Sequence, residues 1–96
     1  MNSTPVPSPI GLPERLTLEV ASATLAKLQA VLQAQAGPTV ELDAAGMREF
    51  DTSAVAVLLA LHRGLHQQGK VLAVKHWPQR LRDLVALYGV DSLLPA

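Results

Sequence analysis

The chain has 96 residues, eight acidic and eight basic side chains, and no cysteine. The length fits one domain. A net charge of zero argues against nucleic acid or an anionic membrane surface as a partner, because both require a basic excess on the protein. The lack of cysteine excludes disulfides, thiol catalysis and cysteine-ligated metals, and it is compatible with the reducing cytosol.

Two further absences concern the membrane. No apolar run in the sequence approaches the roughly 18 residues that a membrane span requires. The first residues lack the basic and apolar regions of a secretory signal. We therefore expect a cytoplasmic protein that does not insert directly into a membrane.

The N-terminal segment is rich in proline. Four of the seven prolines lie within residues 1–13, at Pro5, Pro7, Pro9 and Pro13. Proline lacks an amide donor and fixes φ, so a segment of this kind does not join the interior of a sheet. We predict a disordered tail over residues 1–13 and a single folded domain over residues 14–96.

Hydrophobic periodicity defines the elements of the first half of that domain. Apolar and polar residues alternate at its start, which predicts a strand containing Leu16, Leu18 and Val20. An Ala- and Gln-rich run with leucines at helical spacing predicts a helix over residues 22–36, with Ser22 as its N-cap and Gly37 beyond its end. A second alternating run predicts a strand over residues 40–43.

The second half repeats this alternation of strand and helix. A helix is predicted over residues 52–68, ended by Gly69. A continuous apolar run predicts a strand over residues 71–74 that is buried on both faces. Pro78, which suits a first helical turn, opens a helix over residues 78–88 with the apolar stripe Leu81, Leu84, Val85 and Tyr88. The β-α-β-α-β-α order predicts an α/β fold whose helices pack on a central parallel sheet.

The second helix has apolar residues on two opposite faces. One face is a sufficient core stripe, formed by Ala54, Val57, Leu58, Leu61 and Leu65. The opposite face is small and apolar near its start, where an ordinary surface helix carries charges. Either the domain buries this helix on both sides, or the second face is a docking surface for another protein. We favour docking, because so few elements do not readily cover one helix from both sides. The predicted surface has an apolar centre of Val55, Ala56 and Leu59 and a rim of Thr52, Ser53, His62 and Arg63.

The segment around the start of this helix resembles a family signature. A hydrophobic strand over residues 40–43 is followed by a short loop, then Asp51-Thr52-Ser53-Ala54 and an aliphatic helix. This order resembles the STAS signature, in which Asp-Ser/Thr-x-Gly follows a strand and opens a helix. The resemblance covers about residues 16–94 and implies one STAS-type domain. The chain departs from the pattern in two ways: Ala54 stands where the family usually has Gly, and the usual first strand is missing.

Within that family the chain is most similar to the MlaB-like branch, through its Asp-Thr start, its Leu-rich helix and the closing run over residues 87–96. This similarity implies a non-catalytic subunit without a cofactor, bound to the ATPase (MlaF-like) of an Mla-type ABC transporter that moves phospholipids between the inner and outer membranes. That complex also contains permease and substrate-binding subunits, and the chain would lie at the inner membrane through its partner.

The resemblance leaves a second function open, and with it more than one role for the first residues of the helix. Thr52 corresponds to the position that anti-sigma-factor antagonists of this family present to a kinase, so the alternative is a partner-switching antagonist phosphorylated on Thr52. In the MlaB-like branch the same residue would contact the ATPase without phosphorylation. An ordinary first-turn residue is the third interpretation of Thr52. Asp51 belongs to the predicted partner surface, although its role as the N-cap explains it equally well.

Other candidate sites are weaker. His62 and His66 are spaced i, i+4, but two imidazoles without a nearby carboxylate do not make a metal site. Ser53 and His62 lie about 13 Å apart along one helix, so they cannot form a hydrolase triad with Asp51. The chain has no Gly-rich phosphate loop. We predict no enzyme activity, and we assign Arg80 and Arg82 to a solvated helix face.

Overall fold

The computed structural model describes residues 10–90 and 92–94. Three helices lie within them: α1 (Leu18–Gln33), α2 (Thr52–Gln67) and α3 (Gln79–Leu87). The strands of this part of the chain are β1 (Ile10–Gly11), β2 (Arg15–Leu16), β3 (Thr39–Asp43), β4 (Glu49–Phe50) and β5 (Val71–Lys75). The predicted α/β fold, with strands and helices alternating in a single STAS-type domain, is confirmed.

The larger sheet is parallel, in the order β1-β3-β5. Its inward side chains are buried in the core and come from β3 and β5, as Val40, Leu42, Leu72 and Val74. The three helices contribute their buried stripes to the same core, so one face of the sheet is covered. On the other face Lys75 and Glu41 form an ion pair with an N–O distance of 2.9 Å.

The prediction that β5 is buried on both faces is therefore wrong. Val71 is 59% exposed and Lys75 is also exposed. The run of apolar residues suggested a strand covered from both sides, as in most parallel sheets. Here the helices pack on one side only, so burial alternates along the strand.

A second, two-stranded sheet sets the positions of the helix starts. β2 and β4 pair in parallel, with Arg15 opposite Glu49 and Leu16 opposite Phe50. Each of these short strands leads almost directly into a helix, β2 into α1 and β4 into α2. The first turns of α1 and α2 consequently lie side by side.

The predicted strand over residues 16–20 is wrong beyond Leu16. Thr17 is the N-cap of α1, so the helix begins at Leu18, four residues before the predicted start at residue 22. The cause is a long-range contact, because the Leu18 amide donates to Asp51 Oδ2 at 3.1 Å. Leu18 is also 76% exposed, so its place in the alternating pattern does not reflect burial.

The boundary predicted at residue 13 is also corrected. Ile10 and Gly11 form β1 and pair with Leu42 and Asp43 of β3. Leu12 is only 5% exposed. β1 thus supplies the first strand that the sequence seemed to lack, and it stands at the end of the strand order, where a neighbouring proline is tolerated. The disorder predicted for residues 1–9 lies outside the described residues, as do residues 91, 95 and 96 of the predicted domain.

The other two predicted helices agree closely with the structure. α2 ends one residue before the predicted limit and is followed by Gly69 in the left-handed conformation, at φ +74°. α3 lies within its predicted range, with Pro78 as the N-cap residue rather than in the first turn. Over residues 10–90 and 92–94, no helix combines the length and the apolar character that crossing a bilayer would need.

Candidate functional site

Asp51 organises the start of α2. Its Oδ1 accepts a hydrogen bond from the Ser53 amide at 2.8 Å, which makes it the N-cap of the helix. The first amides of a helix lack partners within the helix, and a carboxylate at this position satisfies one of them. The N-cap role that the sequence suggested for Asp51 is therefore present in the structure.

The same carboxylate also holds the start of α1. Its second oxygen, Oδ2, accepts from the Leu18 amide, so one side chain ties together two helix N-termini. Hydrogen bonds from the Ser53 and Leu18 amides stabilise the charged form and lower the pKa of Asp51 below its ordinary value. Asp51 thus fixes the two helices relative to each other.

Arg80 makes a third connection at this end of the domain. Its Nη2 donates to the Phe50 carbonyl oxygen at 3.2 Å. Its guanidinium carbon lies 5.1 Å from the centroid of the Phe50 ring, within the range of a cation–π contact. Arg80 is exposed, as its assignment to a solvated helix face predicts, but it also makes these two contacts, which the sequence did not indicate. Arg82 is exposed as well.

The exposed part of α2 is narrower than the sequence indicated. Thr52 and Ala56 are exposed, Leu59 is half-buried, and Val55 is only 3% exposed. Val55 belongs to the core cluster, and α2 is in contact with α3 as well as with α1 and β5. The domain thus covers α2 on more than one side, but it leaves open the strip that carries Thr52 and Ala56, which we call the α2 ridge.

Two shallow grooves border the α2 ridge. The α2–α3 groove has a volume of about 320 Å³ and is lined by Thr52, Val55, Ala56, Leu59, Tyr88 and Val90. The α1–α2 groove has a volume of about 190 Å³ and is lined by Leu18, Ala21, Ser22, Leu25, Ser53, Ala56 and Val57. Ala56 lines both grooves, so the ridge and grooves form one continuous surface with a mainly apolar lining.

The structure brings together most, but not all, of the predicted site residues. Thr52, Ser53, Val55, Ala56 and Leu59 line the grooves, while Asp51 supports them from its capping position. His62 and Arg63 lie further along α2 and contribute to neither groove. The His62 ring stacks on the His66 ring with the centroids 6.0 Å apart.

Sequence reasoning missed the walls that the other two helices provide. Tyr88 was assigned to the core stripe of α3 but is 56% exposed and lines the α2–α3 groove. Leu18 was assigned to a strand but lies in the α1–α2 groove. The available signal for Tyr88 was its place at the end of the stripe, next to the helix-ending Gly89.

The surface suits contact with another macromolecule better than chemistry on a small substrate. Its lining offers aliphatic groups, one tyrosine and the Thr52 and Ser53 hydroxyls. Apolar patches with a polar rim are typical of protein–protein contacts. Among residues 10–90 and 92–94, no three His, Asp or Glu side chains come together in a way that could hold a metal ion.

Comparison with known protein families gives a match over most of the chain. The family model described as "Mlab, STAS domain" matches residues 2–95 of the chain. No curated protein matches the chain. The matched region includes the α2 ridge, both grooves and the elements that form them. Because the match spans nearly the whole sequence, the chain belongs to the Mlab-type STAS domain family.

Proposed function

We propose that the protein is the non-catalytic STAS subunit of an Mla-type ABC transporter, and that it binds the ATPase subunit through the α2 ridge and its two grooves. In that role it stabilises or regulates the ATPase within a complex that also holds permease and substrate-binding subunits. The complex moves phospholipids between the inner and outer membranes and so supports outer-membrane lipid asymmetry. The protein itself would stay in the cytoplasm, at the inner membrane through its partner.

Two observations support this proposal. The family is one of generally non-catalytic regulatory and interaction domains, and its model carries the Mlab description. The observation that carries the site assignment is the exposed α2 ridge between two mainly apolar grooves. Burying such an apolar surface against a partner removes it from water, which stabilises the complex.

Thr52 is the residue through which this proposal is best tested. It is exposed, it is the first residue of α2, and it lines the α2–α3 groove. A glutamate there is favourable for the isolated fold, because negative charge is stabilised near a helix N-terminus. In a desolvated contact the same carboxylate would be unpaired and costly.

The experiment is co-expression of the full chain with a tagged ATPase subunit of the Mla-type transporter from the same organism. We expect the wild-type protein to co-purify with the ATPase and Thr52→Glu to fail, although the melting temperature of Thr52→Glu is no lower than that of the wild type. Arg82→Glu, a charge reversal at an exposed position of α3, is the control and should still bind.

The results separate the alternatives. A wild-type protein that does not bind the ATPase would refute the proposal. Capture of an anti-sigma kinase in its place would favour the partner-switching function with phosphorylation on Thr52. Binding by Thr52→Glu at wild-type strength would show that the contact lies on another surface.

A further inference from the structure

The starts of all three helices are linked through two consecutive residues, Phe50 and Asp51. Asp51 accepts from the first amide of α1 and from the second amide of α2. Phe50, the residue before it, receives the Arg80 side chain from the first turn of α3. The Asp51 amide in turn donates to the Leu16 carbonyl oxygen at 3.4 Å, next to the start of α1.

Arg80 makes two different kinds of contact with Phe50. The hydrogen bond to the carbonyl oxygen fixes the backbone immediately before the cap. The guanidinium lies above the Phe50 ring and fixes the Phe50 side chain. Phe50 is only 4% exposed and is therefore anchored in the core. A guanidinium suits both contacts, because it is planar, permanently charged and able to stack on an aromatic face.

The walls of the α2–α3 groove depend on this link. One wall is the first half of α2, beginning at Thr52, and the other is formed by Tyr88 and Val90, just beyond α3. The relative position of these walls is set by how α3 attaches to the start of α2. Arg80 bridges that junction without lining the groove.

We propose that Arg80 is a positioning residue, which holds the start of α2 against α3 and so keeps the docking surface in its binding shape before a partner arrives. This inference rests on the proposed function for the identity of the partner, but the local ordering of the helix starts can be measured without one. A preformed surface binds more tightly, because less conformational freedom is lost on association.

The test uses Arg80→Gln, Arg80→Lys and the control Arg82→Gln in the full-length protein. Hydrogen exchange is measured at two pairs of amides. The Ser53 and Leu18 amides donate hydrogen bonds to Asp51, and the Leu42 and Val74 amides belong to the central sheet. Affinity for the purified ATPase subunit is measured well below the melting temperature of each variant.

For Arg80→Gln we expect faster exchange at Ser53 and Leu18, unchanged exchange at Leu42 and Val74, and roughly tenfold weaker binding. Arg80→Lys keeps a cation near the Phe50 ring and should fall between this variant and the wild type. Arg82→Gln should match the wild type in both measurements.

Each contrary result has one meaning. Unchanged exchange at Ser53 and Leu18 in Arg80→Gln would overturn the positioning role. Uniformly faster exchange with unchanged affinity would overturn it too, because it would show a general stabilising role. If the wild type does not bind the ATPase, the proposed function fails, while the exchange pattern still decides whether Arg80 orders the helix starts.

Discussion

Ala56→Asp tests the docking surface most directly, because Ala56 is exposed and lines both grooves. Replacing alanine with aspartate in a helix costs about 0.5–0.7 kcal/mol of stability. Ala56 lies in the second turn of α2, where the helix dipole still offsets part of that cost. We therefore expect a net loss of about 0.5 kcal/mol, which lowers the melting temperature by only about 2–4 °C in a domain of this size.

The effect on binding should be far larger. An aspartate at the centre of the contact would be buried without a partner charge, at a cost of about 3 kcal/mol or more. This corresponds to at least about a hundredfold loss of affinity. The assay is titration of the purified ATPase subunit against each variant, alongside a melting curve.

Ala30→Asp is the matched control. Ala30 is also an exposed helical alanine, but it lies in the last turn of α1, and it lines neither groove. An aspartate there faces the negative end of the helix dipole, so it should destabilise the fold more than Ala56→Asp does and still bind normally. If Ala56→Asp binds at wild-type strength, or if both variants lose binding in proportion to their stability, the assignment of the surface is wrong.

Three further predictions concern the fold that supports this surface. The pKa of Asp51 is lowered on folding, so its stabilising contribution is present above the unfolded value near 3.8 and is lost as the pH falls through the folded value. Melting curves should show Asp51→Asn less stable than the wild type at neutral pH, with a smaller further loss of stability in acid. Equal acid sensitivity in both proteins would contradict the role of the Asp51 carboxylate at the starts of both helices. Gly64 lies within α2, and apart from the nearby backbone of α2 itself no atom lies within 4 Å of where a Cβ would stand. Gly64→Ala should therefore raise the free energy of unfolding by about 0.5–1 kcal/mol in urea titration, and a decrease would show a hidden packing constraint. Leu12 is buried, so Leu12→Ala should cost about 2–4 kcal/mol, whereas an unchanged urea midpoint would show that residues 10–13 are not part of the fold.

The elements with strong local signals were predictable from the sequence. α2 was predicted within one residue, because Asp51 is an N-cap residue, Gly69 adopts the left-handed conformation and the apolar stripe between them has helical spacing. The predicted helix over residues 78–88 likewise followed from Pro78 and the spacing of its apolar residues. In both cases the information lies within one element or at its ends.

The errors arose where distant segments meet. The start of α1 depends on a hydrogen bond to Asp51, 33 residues away, which no local pattern reveals. β1 forms because it pairs with β3. The surrounding prolines alone had predicted disorder for this segment. The site was predicted in part for the same reason: Thr52 and Ala56 follow from the periodicity of α2, whereas Tyr88 becomes part of it only through the packing of α3.

The sharing of Asp51 between two helices also bears on the order of folding. As the chain is synthesised, residues 18–33 appear well before Asp51, so α1 must wait for the residue that accepts its first amide. At 16 residues, α1 is only slightly longer than the roughly 12–15 residues below which an isolated helix is marginal in water. Contacts between distant residues form slowly, because they require closing a long loop. The groove between α1 and α2 should therefore be among the last features to form. For the Asp51→Asn variant, a φ-value near zero would agree with this order. A φ-value near one would show that the helix starts meet early in folding.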